Sequence, residues 1–281
     1  MNIKDVVKLS PLDRLLYWIK ERESIRLKKE AGEPKPWTDD EILRRYRFCN
    51  VRRMDDKVSC WLLENWYKPY FDHPNMLVAC SMARFFNLPE SLEEVGFPEV
   101  WDPERIRDVL RRRMKRGEKV FNGAYIVRGN DGVDKIGGTV NTTLKPLVSD
   151  PPWVDEDSME ETWKAIVPGY GFGSFMAGQV VADLRWALSG SWSDRMTWAP
   201  LGPGSKRGMN RLIQHPIDQR MDQDGFVELL LWVIKVCEEQ LPTSITDRLE
   251  AMDYQNCLCE YDKYNRTLID GKRLKRRYPS D

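Results

Sequence analysis

Along most of the chain, apolar residues recur at three- and four-residue spacing, the pattern of helices that each bury one face. Ser10 followed by Pro11 sets an N-cap before a proline at the first helical position, and predicts a helix through Leu15, Trp18, Ile19 and Ile25. Thr38 with Glu41 three residues on reads as a capping box that opens a second helix around Ile42 and Leu43. The same spacing predicts helices over 56–70 and 75–86, and Asp102-Pro103 caps a basic helix that should stop at Gly117. Helical periodicity returns over 158–167, 172–188, 206–213, 219–240 and 245–260.

Between these two helical stretches the pattern breaks. Glycine and turn residues dominate 122–152, with 124–127 and 139–142 as short strands or extended loop. A break this long inside a compact chain is usually functional or mobile. The predicted class is therefore all-α, a single domain over 1–281, with lobes 1–120 and 155–281 flanking an irregular segment at 121–154.

Composition narrows the setting. No apolar run is long enough to cross a bilayer, and the first residues lack a signal-peptide core. Six scattered cysteines without repeated CxxC spacing read as buried thiols in a reducing compartment, which predicts a cytoplasmic protein. Two histidines make a His-based metal centre improbable, and no metal site is predicted. A net charge of zero argues against non-specific coating of nucleic acid, yet the 105–116 segment gathers seven cations. Of these, Arg112, Lys115 and Arg116 are the candidate DNA contacts, and 272–277 is a second basic run. A solvated helix face and a frayed tail explain the two runs equally well.

Four segments carry candidate chemistry. Gly171, Gly173 and Ser174 form a G-x-G-S turn between two helices, where exposed N–H groups favour a phosphate. A plain tight turn is the competing explanation. The turn resembles the hairpin of helix-hairpin-helix DNA glycosylases. Where bifunctional members of that group carry a lysine nucleophile this chain has Phe175, which argues against lyase chemistry. Asp194 lies roughly where those enzymes place a catalytic aspartate, and Asp183 sits among apolar residues on the following helix. The second segment, 202–208, joins Gly204, Ser205, Lys206 and Arg207 at a helix start and suits a phosphate or pyrophosphate. It lacks the G-x-x-x-x-G-K-[ST] spacing of a nucleotide-binding loop, and a capped turn with solvated cations is the alternative. The third, 47–57, alternates cations, acids and an amide, as a surface ion-pair lattice also would. The fourth holds the C-x-C of Cys257 and Cys259 beside Glu260 and Lys263, which is weak evidence for zinc.

In order, PWTDDEIL, YRFCNVRRMDD, FFNLPESL, GYGFGSFMAGQVVADL, WAPLGPGSKRG and CLCEYDKY resemble one family across roughly residues 15–275. It is the alpha-glutamyl/putrescinyl thymine pyrophosphorylase family, also described as amino acid:DNA transferases. The helical domain of phage 5-hydroxymethyluracil DNA kinases is similar. The resemblance implies a transferase in phage thymine hypermodification, working in the cytoplasm of an infected or lysogenic host. A kinase pyrophosphorylates 5-hydroxymethyl-deoxyuridine in DNA, and the transferase displaces pyrophosphate with the amine of an amino acid or polyamine. The partners implied are DNA with the activated base and that free amine, with no membrane. The missing phosphate loop excludes the kinase step from this chain.

Such chemistry needs base flipping, with Trp37, Phe48, Trp61, Trp66, Tyr170 or Trp198 available to stack. Departing pyrophosphate needs cations and donors, for which Arg53, Ser205, Lys206 and Arg207 are candidates, with Mg²⁺ chemically reasonable. Arg47 and Asn50 match the family's first motif and, with Lys263, are candidates to hold a phosphate or an amino acid carboxylate. A carboxylate must take the amine's proton, and Asp56, Asp183, Asp194 and Glu260 all qualify. Two rivals stand beside this reading: a glycosylase in which Asp194 activates water, and a non-catalytic helical module that binds the modified base.

Overall fold

The computed structural model describes residues 3–123, 134–275 and 277–278. The short strand or extended loop expected at 124–127 and Arg276 of the second basic run lie outside the described residues. Among those described, regular structure is helical apart from an isolated bridge between Tyr46 and Arg277, so the all-α class holds. The chain forms two compact units, one of Met1–Asp56 with Met196–Asp281, the other of Lys57–Arg195. The two ends of the chain share one unit and the middle forms the other, a division different from the lobes expected at 1–120 and 155–281.

In the first unit, the Pro11–Glu30 helix starts as its sequence predicts, with Ser10 Oγ accepting from Asp13 N at 3.1 Å. Its buried face carries Leu15, Trp18, Ile19 and Ile25, but also Arg14, Arg22 and Arg26. Arg14 Nη1 donates to Asn265 Oδ1 at 2.9 Å and Tyr261 OH to the Pro11 carbonyl at 2.9 Å. These bonds fix the helix to Ala251–Leu268. The next helix, Glu41–Arg45, is capped by Asp40 and not by Thr38. A carboxylate is the stronger acceptor, and Asp40 takes Ile42 N at 2.8 Å and Leu43 N at 3.0 Å. Tyr17 and Tyr264 donate to its other oxygen at 3.1 and 2.5 Å, so this fully buried carboxylate is satisfied on both sides.

The helix expected over 245–260 is two pieces, Thr243–Thr246 and Ala251–Leu268. Glu250 and Asp253 form a capping box that restarts it. Against it lies Pro203–Leu212, and a Cβ on Gly208 would stand 2.0 Å from the Leu258 carbonyl oxygen. On Gly204 it would stand 2.3 Å from Cys259 Sγ. Close approach of the facing helix accounts for both glycines, through its backbone at Gly208 and through the Cys259 side chain at Gly204. Gly208→Ala should force the two helices apart and cost about 1–3 kcal/mol, read as a lowered urea midpoint with an unchanged slope.

In the second unit, Met76–Phe86 is buried throughout and pairs with Gly173–Ala187. The run expected over 56–70 is helical but changes pitch, from Lys57–Leu62 to the wider Leu63–Tyr67 and the tighter Lys68–Tyr70. The strand expected at 139–142 is instead part of the wide helical turn Gly138–Leu144. Its β-branched residues suggested extension, yet Val140 and Leu144 are fully buried, and Asp134 Oδ1 caps Gly137 N at 2.8 Å. Tertiary burial overrides local preference here. The basic helix Pro103–Lys115 starts at Asp102, and Gly117 follows it with φ +77°.

Candidate functional site

The first unit gathers three of the segments singled out above: the 47–56 loop, the start of Pro203–Leu212 and the middle of Ala251–Leu268. The loop is organised by Asn50. Its backbone N–H donates to Asp56 Oδ1 at 3.2 Å and its amide nitrogen to the Asp55 carbonyl at 2.7 Å. Its amide oxygen accepts from Arg22 Nη2, while Arg22 Nε donates to the Cys49 carbonyl at 3.0 Å. Arg53 N donates to Asp253 Oδ1 at 2.7 Å, which pins the loop to the start of Ala251–Leu268. Two turns further on, Glu260 Oε2 accepts from Cys49 N and from Lys263 Nζ, each at 3.0 Å. Lys263 Nζ also donates to the Arg47 carbonyl at 2.8 Å and stands 4.5 Å from the centre of the Phe48 ring.

Burial pushes the Asp56 carboxyl up to about 6. The Asn50 N–H, Arg22 and Arg53 pull it down, and Glu260 pushes it further up. Among the described residues Asp56 Oδ2 makes no hydrogen bond, and Arg22 Nη1 is buried without a partner. The carboxylate is thus a basic one, with one oxygen left over by the loop's own hydrogen bonds. Glu260 above all, and then burial, holds the Cys49 thiol well above its ordinary value. Burial, with Glu260 and Asp262 adding, pushes Cys259 up to about 12 against Lys263 and Arg207. Both raised thiols favour the protonated form, so neither is a ready nucleophile. Among the described residues no group of three or more His, Cys, Asp or Glu could hold a metal ion.

The 202–208 segment divides in role. Ser205 is fully buried, and its hydroxyl accepts from Gly202 N at 3.0 Å and Gln255 Nε2 at 3.1 Å and donates to the Gly202 carbonyl. It locks the helix start and has no capacity left for a ligand. Gly204 is a packing residue, as described. Arg207 Nε is held at 2.9 Å by Asp262, which also takes Arg211 Nε at 2.9 Å, and a third of the Arg207 side chain stays exposed. The Lys206 side chain makes no hydrogen bond or ion pair with the described residues. Arg47 turns to the Tyr278 ring, 5.4 Å from its centre.

The second unit holds the other candidates. Asp183 is buried against Arg84, with Arg84 Nη2 at 2.5 Å from Oδ1 and Tyr67 OH at 2.6 Å from Oδ2. Asp194 accepts from Ser158 Oγ, Met159 N and Glu160 N at 2.8–3.0 Å, and so caps the Met159–Ile166 helix. Both are explained as supports. Gly171 has φ +86° and faces Thr143 Oγ1, and Gly173 has φ +56° just before Ser174, whose carbonyl accepts Trp163 Nε1 at 3.0 Å. In the basic helix Arg116 is taken by Glu94 and Glu118, whereas Arg112 and Lys115 pair with nothing among the described residues.

Arg22, Asp253 and Gln255 are parts of the site that no motif announced. Arg22 had a signal nonetheless: it follows Trp18 and Ile19 on the apolar stripe of its helix, where a cation must find partners to be buried.

Residues 10–273 match the family described as 5-hmdU DNA kinase, helical domain. The 5-hmdU DNA kinase of Bacillus phage SP10 is 29% identical, over 69% of this chain and 35% of the relative. The chain thus spans about a third of the length of the curated relative it matches. No solved structure matches.

Proposed function

The chain belongs to the family of 5-hmdU DNA kinase helical domains, and from that premise we propose that it acts in phage thymine hypermodification, replacing pyrophosphate on an activated 5-hydroxymethyluracil in DNA with an amine. The observation that carries the reading is the Asp56 carboxylate, made basic by burial and set among Arg22, Arg53 and Glu260. In the step proposed, the amine nitrogen bonds to the exocyclic carbon on C5 of the base. The carbon–oxygen bond to pyrophosphate breaks, and Asp56 Oδ2 takes the proton the nitrogen loses. The exposed end of Arg207, with Lys206 next to it in sequence, would meet the charge on the departing group. Mg²⁺ in this scheme would ride on the pyrophosphate oxygens. The acceptor is modified DNA and the donor a free amino acid or polyamine. Arg112, Lys115 and the turn of Gly171, Gly173 and Ser174 are proposed to contact the DNA backbone.

A second reading has one observation behind it. The matching family is described as a domain of a kinase, and the sequence given holds no phosphate-loop motif. The chain would then recognise the modified base for another enzyme. The glycosylase reading is not favoured, because the Asp194 carboxylate is spent on a helix start.

The deciding assay uses DNA carrying pyrophosphorylated 5-hydroxymethyluracil, a pool of amino acids and polyamines, and mass spectrometry of the digested nucleosides. An amine-bearing nucleoside supports transfer. Free base or an abasic site would show a glycosylase, and unchanged DNA a binding module. Arg207→Ala should lower transfer by about 10²-fold or more with unchanged helical circular dichroism. Activity near the unsubstituted level would remove Arg207 from the anion site.

A further inference from the structure

The first unit contains a cavity of about 290 Å³ whose chemistry the transfer reaction does not use. Its lining includes Ile25 and Leu43, both buried, the rings of Trp37 and Tyr278, and the exposed cations Lys35 and Arg44. The two rings lie edge to face with centres 6.2 Å apart. Trp37 is fixed from behind, its Nε1 donating to the Glu33 carbonyl at 2.7 Å. Tyr278 is fixed by its N–H on the Arg45 carbonyl at 3.0 Å and by Lys29 Nζ on its hydroxyl at 2.7 Å. Lys29 Nζ stands 4.6 Å from the centre of each ring, and Arg47 lies over Tyr278 at 5.4 Å. Among the described residues no carboxylate lines the cavity. Arg44 makes no hydrogen bond or ion pair with the described residues.

Two rigidly held aromatic rings, an apolar inner surface and a mouth with cations but no acid suit a flat ring joined to a negative group. We propose that this cavity binds a single unstacked nucleotide, its base against Trp37 and Tyr278 and its phosphate at Arg44 and Lys35. A free nucleotide and one nucleotide of a single strand share that chemistry. The inference stands apart from the transfer reaction, because it needs neither Asp56 nor pyrophosphate.

Direct binding tests it with the full chain, following the anisotropy of a short fluorescent single-stranded oligothymidylate. Free dTMP and the matching duplex serve as the other arms. Trp37→Leu should weaken binding roughly 5- to 150-fold, and Trp37→Phe should restore most of the loss. Both variants lose the bond to Glu33, so rescue by phenylalanine separates stacking from support. Arg44→Gln, on an exposed side chain, should lower the salt slope by about 0.7 for a single strand. Equal competition by dTMP would assign the cavity to a free nucleotide, and preference for the strand to DNA. Binding within twofold of the unsubstituted protein in both Trp37→Leu and Arg44→Gln would overturn the proposal, as would no binding by any arm.

Discussion

Replacing Asp56 by asparagine is expected to lower amine transfer by about 10²–10⁴-fold and yet to yield a more stable protein near neutral pH. Both effects come from the same burial. The Asp56 carboxyl titrates at about 6 in the folded protein, against about 4 in an unfolded chain. The unfolded state therefore releases this proton first. The contribution of Asp56 to stability is whole below pH 4 and is lost as the pH rises through 6, by at most about 3 kcal/mol. Asparagine carries no such charge, and its amide oxygen still accepts from Asn50 N, which the aspartate takes at 3.2 Å. Urea melts at steps from pH 4 to pH 8 should show the variant gaining on the unsubstituted protein up to about 6 and holding its lead beyond. Transfer by the unsubstituted protein should rise over the same range as the base ionises. A variant that is less stable at pH 8 would mean that Arg22 and Arg53 hold the ionised carboxylate more strongly than burial opposes it, and the case for Asp56 as the base would go.

How far the sequence reveals this site follows from what sequence can encode. Ser10-Pro11 and Asp102-Pro103 mark helix starts because capping is a contact within four residues. Asp40 displaced Thr38 as a cap because Tyr264, far along the chain, completes it. The strand expected at 139–142 failed for the same reason, since burial of Val140 and Leu144 is decided by distant neighbours. Within the site, Asn50, Arg53, Asp56, Glu260 and Lys263 were visible as dense polar runs, and their meeting was not. The glycines and serine of 202–208 were visible too, but there spacing misleads. A helix start shaped for an anion and one shaped to press against another helix use the same residues, and only the Cβ distances to Leu258 and Cys259 tell them apart. Among the acids, sequence could not rank four candidates, because rank depends on which oxygens are already taken.

That ranking makes its sharpest prediction at Asp183. Its carboxylate is enclosed by Arg84 and Tyr67, and Arg84 is itself only 4% exposed. Asp183→Asn keeps the shape but leaves a buried guanidinium without its counter-charge, which costs about 3–5 kcal/mol. The expected result is a large drop in melting temperature, with transfer lost only in step with the folded fraction and recovered on cooling. A catalytic acid would behave in the opposite way, with an unchanged melt and no activity at any temperature. Because the loss belongs to the pair, removing both charges should repair part of it: Arg84→Met with Asp183→Leu should be more stable than Asp183→Asn alone. If the double variant folds and still fails to transfer, while Asp183→Asn melts normally, Asp183 returns to the reaction. If the double variant transfers, the chemistry rests with the carboxylates of the first unit, where Asp56 keeps an oxygen open and Asp183 keeps none.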